Sequence, residues 1–464
     1  MKKIALIPID NRPVCCLLPK MNADINKNTK LFLPERKFLG SLEKNADTQA
    51  LFDWLEDLDD IDYLIISADT LIYGGLIPSR RGKDSFETLE QRVLKLRNIL
   101  LKKQCKTFVF SSIMRISNNN VNEEEKPYWN EWGEKIFAYS YNLHRMEAEG
   151  NPLAKKKVQS LSSEIPKDIL TDWLSTRMRN FEVNKLYLEL YDDKLIDTLI
   201  YAKDDCAQFG LNVKEANYFE FEAESRKNVF VKTGADEIPL SLLARTYTEK
   251  PLKIAPVYTR EDSVNLISNY EDISVKKSVN SQIETTGCTV SDTENADLIL
   301  YVNNFKNEQG ELVMNVDTPL FSGEIPSFDK PYCVADIVNA NGADNNFADK
   351  LLNVDLSNFY GYSGWNTTGN TLGSVLCTAI IKFKSEDYNE KAFNRLQTVR
   401  FLDDWAYQAN LRKIFKTENI KDGEEIKKRF IPFEERVKKV FGTEELNVGY
   451  SFPWNRYFEI EISI

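Results

Sequence analysis

Two adjacent carboxylates, Asp204 and Asp205, stand where the apolar run Leu199-Ile200-Tyr201-Ala202 stops, with Gly210 shortly after. Neighbouring carboxyl groups push each other's pKa values apart, so one pair can hold an acid and an anion together. Charge is costly inside a buried strand, so the pair is expected at its exposed carboxyl end, where α/β proteins bind ligands. On this reading Asp205 carries a proton and acts as acid/base, while Asp204 stays ionised. The competing reading is that one of them caps the following turn. Adjacent residues of an extended strand also point in opposite directions, so a bulge or turn must bring both to one pocket.

Other apolar runs end in the same kind of chemistry. Ile4–Ile9 runs into Asp10, Asn11, Arg12 and Pro13; Tyr63–Ala68 runs into Asp69, with Tyr73 close behind. Thr107–Met114 ends at Arg115, Val229–Thr233 at Gly234-Ala235-Asp236-Glu237, and Leu298–Val302 at Asn303-Asn304. Tyr332–Ala335 ends at Asp336, followed by Asn341 and Asp344. Together these ends suggest one shared rim. Asp10, Arg12 and Asp69 could bind sugar hydroxyls, or Asp10 and Arg12 could form a turn locked by Pro13. Arg115 could hold an anion or neutralise the acidic rim. In the loop 360–370, Trp365 and Asn366 suit stacking on a sugar face and pairing with hydroxyls; a buried anchor and a helix cap is the alternative. Asp336, Asn341 and Asp344 offer oxygen ligands for Mg²⁺ or Ca²⁺ but lack EF-hand spacing, so no metal site is assigned. Arg80-Arg81, Lys102-Lys103 and Glu123-Glu124-Glu125 read as solvated charge clusters, and Asp403-Asp404-Trp405 as part of a helix packing face.

A single histidine, His144, in a helical stretch, excludes most Ser-His-Asp and Cys-His mechanisms and most His-based zinc sites. Carboxylates are then the most numerous candidates. The net charge of −11 argues against nucleic acid or an anionic membrane surface as partner. The seven cysteines show no C-x-x-C pair, no segment has the length of a transmembrane helix, and a strand begins within four residues of Met1. A reduced, cytoplasmic setting is the expectation.

The elements that position these residues alternate. Helical spacing over 86–102, 128–146, 165–195, 240–247, 262–269, 347–352 and 371–384 separates eight or nine strand-like runs before residue 370. Such alternation implies a largely parallel sheet, closed or doubly wound. The strand number favours a (β/α)8-like, TIM-type barrel over 1–384. No G-x-G-x-x-G or P-loop follows the first strand, so no nucleotide cofactor is expected. Residues 385–464 read as an appended helical region ending in an extended segment.

Several segments resemble an uncharacterised bacterial family catalogued as domain of unknown function 4127. They are Pro8–Pro13, Asp69–Arg80, Gly234–Glu237 with Leu243-Ala244-Arg245, Ala335-Asp336, Asn341–Asp344, Gly364–Gly373 and Phe452–Arg456. A second resemblance is mechanistic. A strand ending in Asp-Asp, in a barrel rimmed by Asp, Asn, Tyr and Trp, is similar to retaining β-N-acetylhexosaminidases. There the first carboxylate orients the 2-acetamido group that attacks the anomeric carbon, and the second serves as acid/base.

The expectation is a glycoside hydrolase for small, possibly 2-acetamido, sugars. Asp204 and Asp205 are catalytic; Asp10, Arg12, Asp69, Tyr73, Arg115, Asp336, Asn341, Trp365 and Asn366 bind substrate. A metal-dependent hydrolase and a non-catalytic sugar-binding protein are the alternatives.

Overall fold

A computed structural model describes residues 1–204 and 206–464. Six parallel strands form the first sheet: β1 (Lys2–Ile7), β2 (Thr29–Phe32), β3 (Tyr63–Ser67), β4 (Lys106–Ile113), β5 (Thr198–Lys203) and β6 (Val229–Thr233), in the order β2-β1-β3-β4-β5-β6. A second parallel sheet contains β7 (Lys253–Tyr258), β8 (Thr289–Val290), β9 (Leu298–Asn303), β11 (Tyr332–Asp336) and β13 (Phe359–Ser363), in the order β13-β11-β9-β7-β8. The short pairs β10 (Gly310–Glu311) with β12 (Asn339–Ala340), and β14 (Gly449–Ser451) with β15 (Glu461–Ser463), complete the strands.

Among the described residues, the single closed barrel expected from the sequence is therefore not formed. One ladder ends at β2 and β6 and the other at β13 and β8, so the described strands make two open α/β sheets. Both start with the same winding: the second strand lies on one side of the first, and the third returns to the other side. That reversal opens a crevice at the carboxyl ends of the strands, where open parallel sheets bind ligands.

Alternation along the strands explains how the first sheet is held. Ile4 and Leu6 of β1, Tyr63 and Ile65 of β3, and Ile200 and Ala202 of β5 face one core. Their neighbours Ala5, Ile7, Leu64, Ile66, Leu199 and Tyr201 face another. Both faces are apolar, as a parallel sheet covered on both sides requires. The first core continues through the second sheet into the C-terminal helices, taking in Val334, Phe359, Phe401, Phe415 and Phe430. A smaller cluster around Trp129, Ile136 and Trp173 holds the helices inserted between β4 and β5. His144 lies there, buried, accepting from the Gly210 N–H at 3.1 Å. Among the described residues, no helix is long and apolar enough to cross a membrane.

Candidate functional site

The turn after β1 shows how the strand ends are built. Asp10 Oδ1 accepts from the Arg12 N–H at 2.9 Å and Oδ2 from Arg12 Nε at 2.8 Å, and Pro13 then opens the helix Pro13–Ala23. Arg12 is buried and reaches two further carboxylates, Asp236 at 2.6 Å and Glu459 at 2.9 Å. A guanidinium with donors on three nitrogens suits such a hub, which a lysine could not replace. One cation thus ties the end of β1, the loop after β6 and the C-terminal tail together.

After β3 the chain turns through Asp69–Tyr73 into Gly74 and Gly75, at φ +87° and +136°, where only glycine is unstrained. This sets up the helix Leu76–Arg81 and buries Arg80. Arg80 Nη2 donates to Asp204 Oδ2 at 2.7 Å, and its Nη1 lies 3.6 Å from Glu125 and 3.7 Å from Glu124. Arg115, after β4, joins the same cluster: Nη2 to Glu124 at 3.0 Å, Nε to Glu125 at 3.0 Å and Nη1 to Asp204 at 3.6 Å. Arg456 of the tail adds a 3.0 Å contact to Glu124. Burial works against the charge on Glu124, but Arg115, Arg80 and Arg456 outweigh it and hold its pKa far below the ordinary carboxylate range. Arg80 and Glu124-Glu125, read from sequence as solvated charge, are instead an interlocked network behind Asp204.

These ends surround a cavity of about 240 Å³. Asp10, Arg12, Arg115, Lys203, Asp204 and Asp236 form the wall supplied by the first sheet. Glu271, Asn341, Asn366, Thr367 and Asn370 come from the loops of the second half of the chain, and Trp454, Arg456 and Phe458 from the tail. Asn341 and Asn366 both hold left-handed backbone, at φ +63° and +60°, and the Asn341 N–H donates to the Asn366 carbonyl at 2.8 Å. Asn tolerates this region better than most residues.

Of the residues expected to bind substrate, Asp10, Arg12, Arg115, Asn341 and Asn366 line this cavity, as does Asp204. Asp205 lies outside the described residues. Asp69, Tyr73, Asp336 and Trp365 do not reach it. Asp69 is buried beneath, accepting from the Ser112 N–H at 2.8 Å, and burial raises its pKa to about 6. Tyr73 packs in the core near Arg179, with the guanidinium 5.8 Å from its ring. Asp336 is fully buried and accepts from Asn303 Nδ2, the Asp344 N–H and the Tyr362 hydroxyl. Trp365 is a core residue. Asp344 caps the helix Asn345–Leu351. Asp336 and Asp344 thus spend their oxygens on backbone and side-chain donors. Among the described residues no three His, Cys, Asp or Glu side chains converge as a metal site would need.

Glu271 is the residue that strand-end reasoning missed. It sits in the loop after β7, where no apolar run announces it. The Gly369 N–H, at the start of the helix Thr368–Lys384, donates to its Oε1 at 2.8 Å. Burial nevertheless raises its pKa to about 7, against the hydrogen bonds of Ser278 and Gly369 and with the help of Asp272. One wall of the cavity therefore carries a carboxyl that holds a proton near neutrality. The same cavity carries Asp204, a carboxylate gripped by arginine.

Residues 4–463 match the family described as "Protein of unknown function (DUF4127)", and the chain belongs to it. No curated protein and no solved structure matches.

Proposed function

We propose that this member of the DUF4127 family is a glycoside hydrolase in which Glu271 is the general acid/base and Asp204 the ionised partner. The observation that carries the reading is the presence, in one cavity, of a carboxyl raised to about 7 and an arginine-bound carboxylate. Two carboxyls in contrasting environments are what glycoside hydrolysis uses. Glu271 gives its proton to the leaving oxygen as the C–O bond breaks, then takes one from the water that attacks the anomeric carbon. Asp204 offsets the positive charge that develops on the ring, or orients a 2-acetamido group that attacks in place of an enzyme nucleophile. Asn341, Asn366 and Asn370 supply the amide donors and acceptors that sugar hydroxyls need.

The test compares alkyl and 2,4-dinitrophenyl glycosides of glucose, galactose, N-acetylglucosamine and N-acetylgalactosamine. Glu271→Gln is expected to lose about 10²–10⁴-fold in kcat/KM on the alkyl substrates, the usual worth of a positioned acid. It should lose much less where the leaving group needs no proton. Asp204→Asn should lose activity on both, and wild-type kcat/KM should fall above about pH 7 as Glu271 ionises. If Asp205→Asn shows the leaving-group pattern and Glu271→Gln does not, the acid is Asp205 and our assignment fails. Absence of wild-type turnover on every substrate would overturn the hydrolase reading and leave sugar binding.

A further inference from the structure

A cavity of about 240 Å³ is small beside the roughly 300–1,000 Å³ of ordinary ligand sites. It does not end blindly. Val313, Arg456 and Phe458 line it and also line a second groove of about 730 Å³, so the two share a wall. The charge of that groove is unlike that of the cavity. Arg412, Lys413, Lys416 and Arg456 face it, against a single carboxylate, Glu123. The cavity, by contrast, mixes acids and bases almost evenly.

The chain as a whole carries −11, with acids enough to neutralise every cation. Lys413 and Lys416 are nonetheless exposed on consecutive turns of the helix Arg412–Glu418, with no carboxylate within ion-pair distance among the described residues. Arg412 beside them is anchored by other means: its Nη1 donates to Gln408 and its Nη2 to the Asn341 carbonyl, a residue of the cavity wall. The cationic groove is thus attached to the wall that holds Asn341. Unneutralised cations in a cleft concentrate anions there and steer them inward.

We infer that this groove is a second substrate subsite, which takes an anionic extension, carboxylate or phosphate, of the sugar seated in the cavity. The inference rests on the proposed reading of that cavity as a carbohydrate site. The substrate class becomes an acidic oligosaccharide or a phosphorylated glycoside. The neutral ring at the point of cleavage occupies the small cavity, and the charged part lies over Lys413 and Lys416.

The test is binding, read by calorimetry on the full chain carrying Glu271→Gln so that turnover plays no part. The probes are trigalacturonate, neutral maltotriose of the same length, and inorganic tripolyphosphate. At low salt at least one anionic probe should bind ten or more times tighter than maltotriose, and which one does so identifies the anion. Lys413→Ser/Lys416→Ser should abolish most of that difference, and so should 0.5 M salt, where the screening length is only a few ångströms. Both lysines are exposed, so the double variant leaves the core intact. An anionic preference that survives in the double variant overturns the inference, and so does the lack of any preference. Because the readout is affinity, it stands apart from the test of Glu271. Anion binding without hydrolysis would sink the hydrolase reading alone, and hydrolysis without anion preference would sink the subsite alone.

Discussion

Glu271 and Glu237 meet at one glycine. The Gly369 N–H donates to Glu271 Oε1, and a Cβ built on Gly369 would stand 3.1 Å from Glu237 Oε1. Glu237 receives one side-chain hydrogen bond, from Gln282 Nε2 at 2.8 Å, and burial raises its pKa to about 8, with Asp236 and Glu271 adding to the shift. Both groups therefore hold protons in the folded chain that the unfolded chain releases above the ordinary glutamate value of 4.5. Their contribution to stability is complete below that value and is lost as pH rises through about 7 to 8. The urea midpoint is expected to fall between pH 5 and 8, each group adding up to about 1.4 kcal/mol per pH unit where only the unfolded form is ionised. Glu237→Gln, which mimics the protonated side chain, should flatten that slope and stabilise the protein at pH 8; an unchanged slope would show that Glu237 is ionised in the fold. Glu124 acts in the opposite sense, but only as pH drops below the ordinary range. Nothing at Asp236-Glu237 announces this, because the sequence displays two acids at a strand end and no sign that Arg12 pairs with the first while the second meets the neutral Gln282.

The wide π-helical segment Phe401–Leu411 is the element that supports the cavity turns of Asn341 and Asn366. Widened helical turns of this kind recur at functional sites. Asp404, fully buried within it, accepts from the Gly364 N–H at 2.7 Å and pairs with buried Arg400, while its carbonyl accepts from the Ala343 N–H at 3.0 Å. Gly342, at φ +147°, packs so closely on the segment that a Cβ would lie 3.1 Å from the Ala409 nitrogen. The turns that carry Asn341 and Asn366 are thus braced from one helix. Asp404→Asn should cost on the order of 3–5 kcal/mol, because it leaves the buried Arg400 guanidinium only a 3.5 Å contact to Asp403. Arg400→Met/Asp404→Leu should cost clearly less than the sum of its single changes, as a denaturant double-mutant cycle would reveal. Additive losses would mean that the pair does not act as a unit. The sequence reading of Asp403-Asp404-Trp405 as helix packing located the segment but not its task, since a π-turn and its distant partners leave no periodic mark. Strands were more legible: apolar runs bounded by polar residues become β1, β3, β4, β5, β6, β9 and β11. The stretch 262–269, read as a helix, has only the short 3₁₀ turn Glu261–Ser263; one apolar spacing is too little to sustain a helix without packing.

At the scale of the molecule, strand count misled where strand ends did not. Each run's burial is local information, but which strand lies beside which is decided by contacts far apart in sequence, so one barrel and two open sheets share nearly the same pattern. The arginine network is hidden for the same reason: Arg80 and Glu124 read as solvated charge, and nothing links them to Asp204 and Arg456 until the chain brings all four together. The last of these contacts depends on the tail, which leaves the C-terminal helices and runs back to the first sheet. Glu459 bonds Arg12, Glu461 forms two hydrogen bonds to Arg36 at 2.8 and 2.6 Å, and Trp454 Nε1 donates to Asn11 at 2.7 Å. Trp454, Arg456 and Phe458 are thereby held as a wall of the cavity. Glu459→Gln/Glu461→Gln should loosen this strap without unfolding the chain, since Arg12 keeps Asp10 and Asp236. Hydrogen exchange is expected to quicken at least tenfold both in the segment 452–461 and in the turn 10–16, with β4 and β5 unchanged, because local opening exposes only what the strap covers. Faster exchange in the tail alone would mean that the first sheet holds its rim unaided, and the strap would then be a wall of the site but not its support.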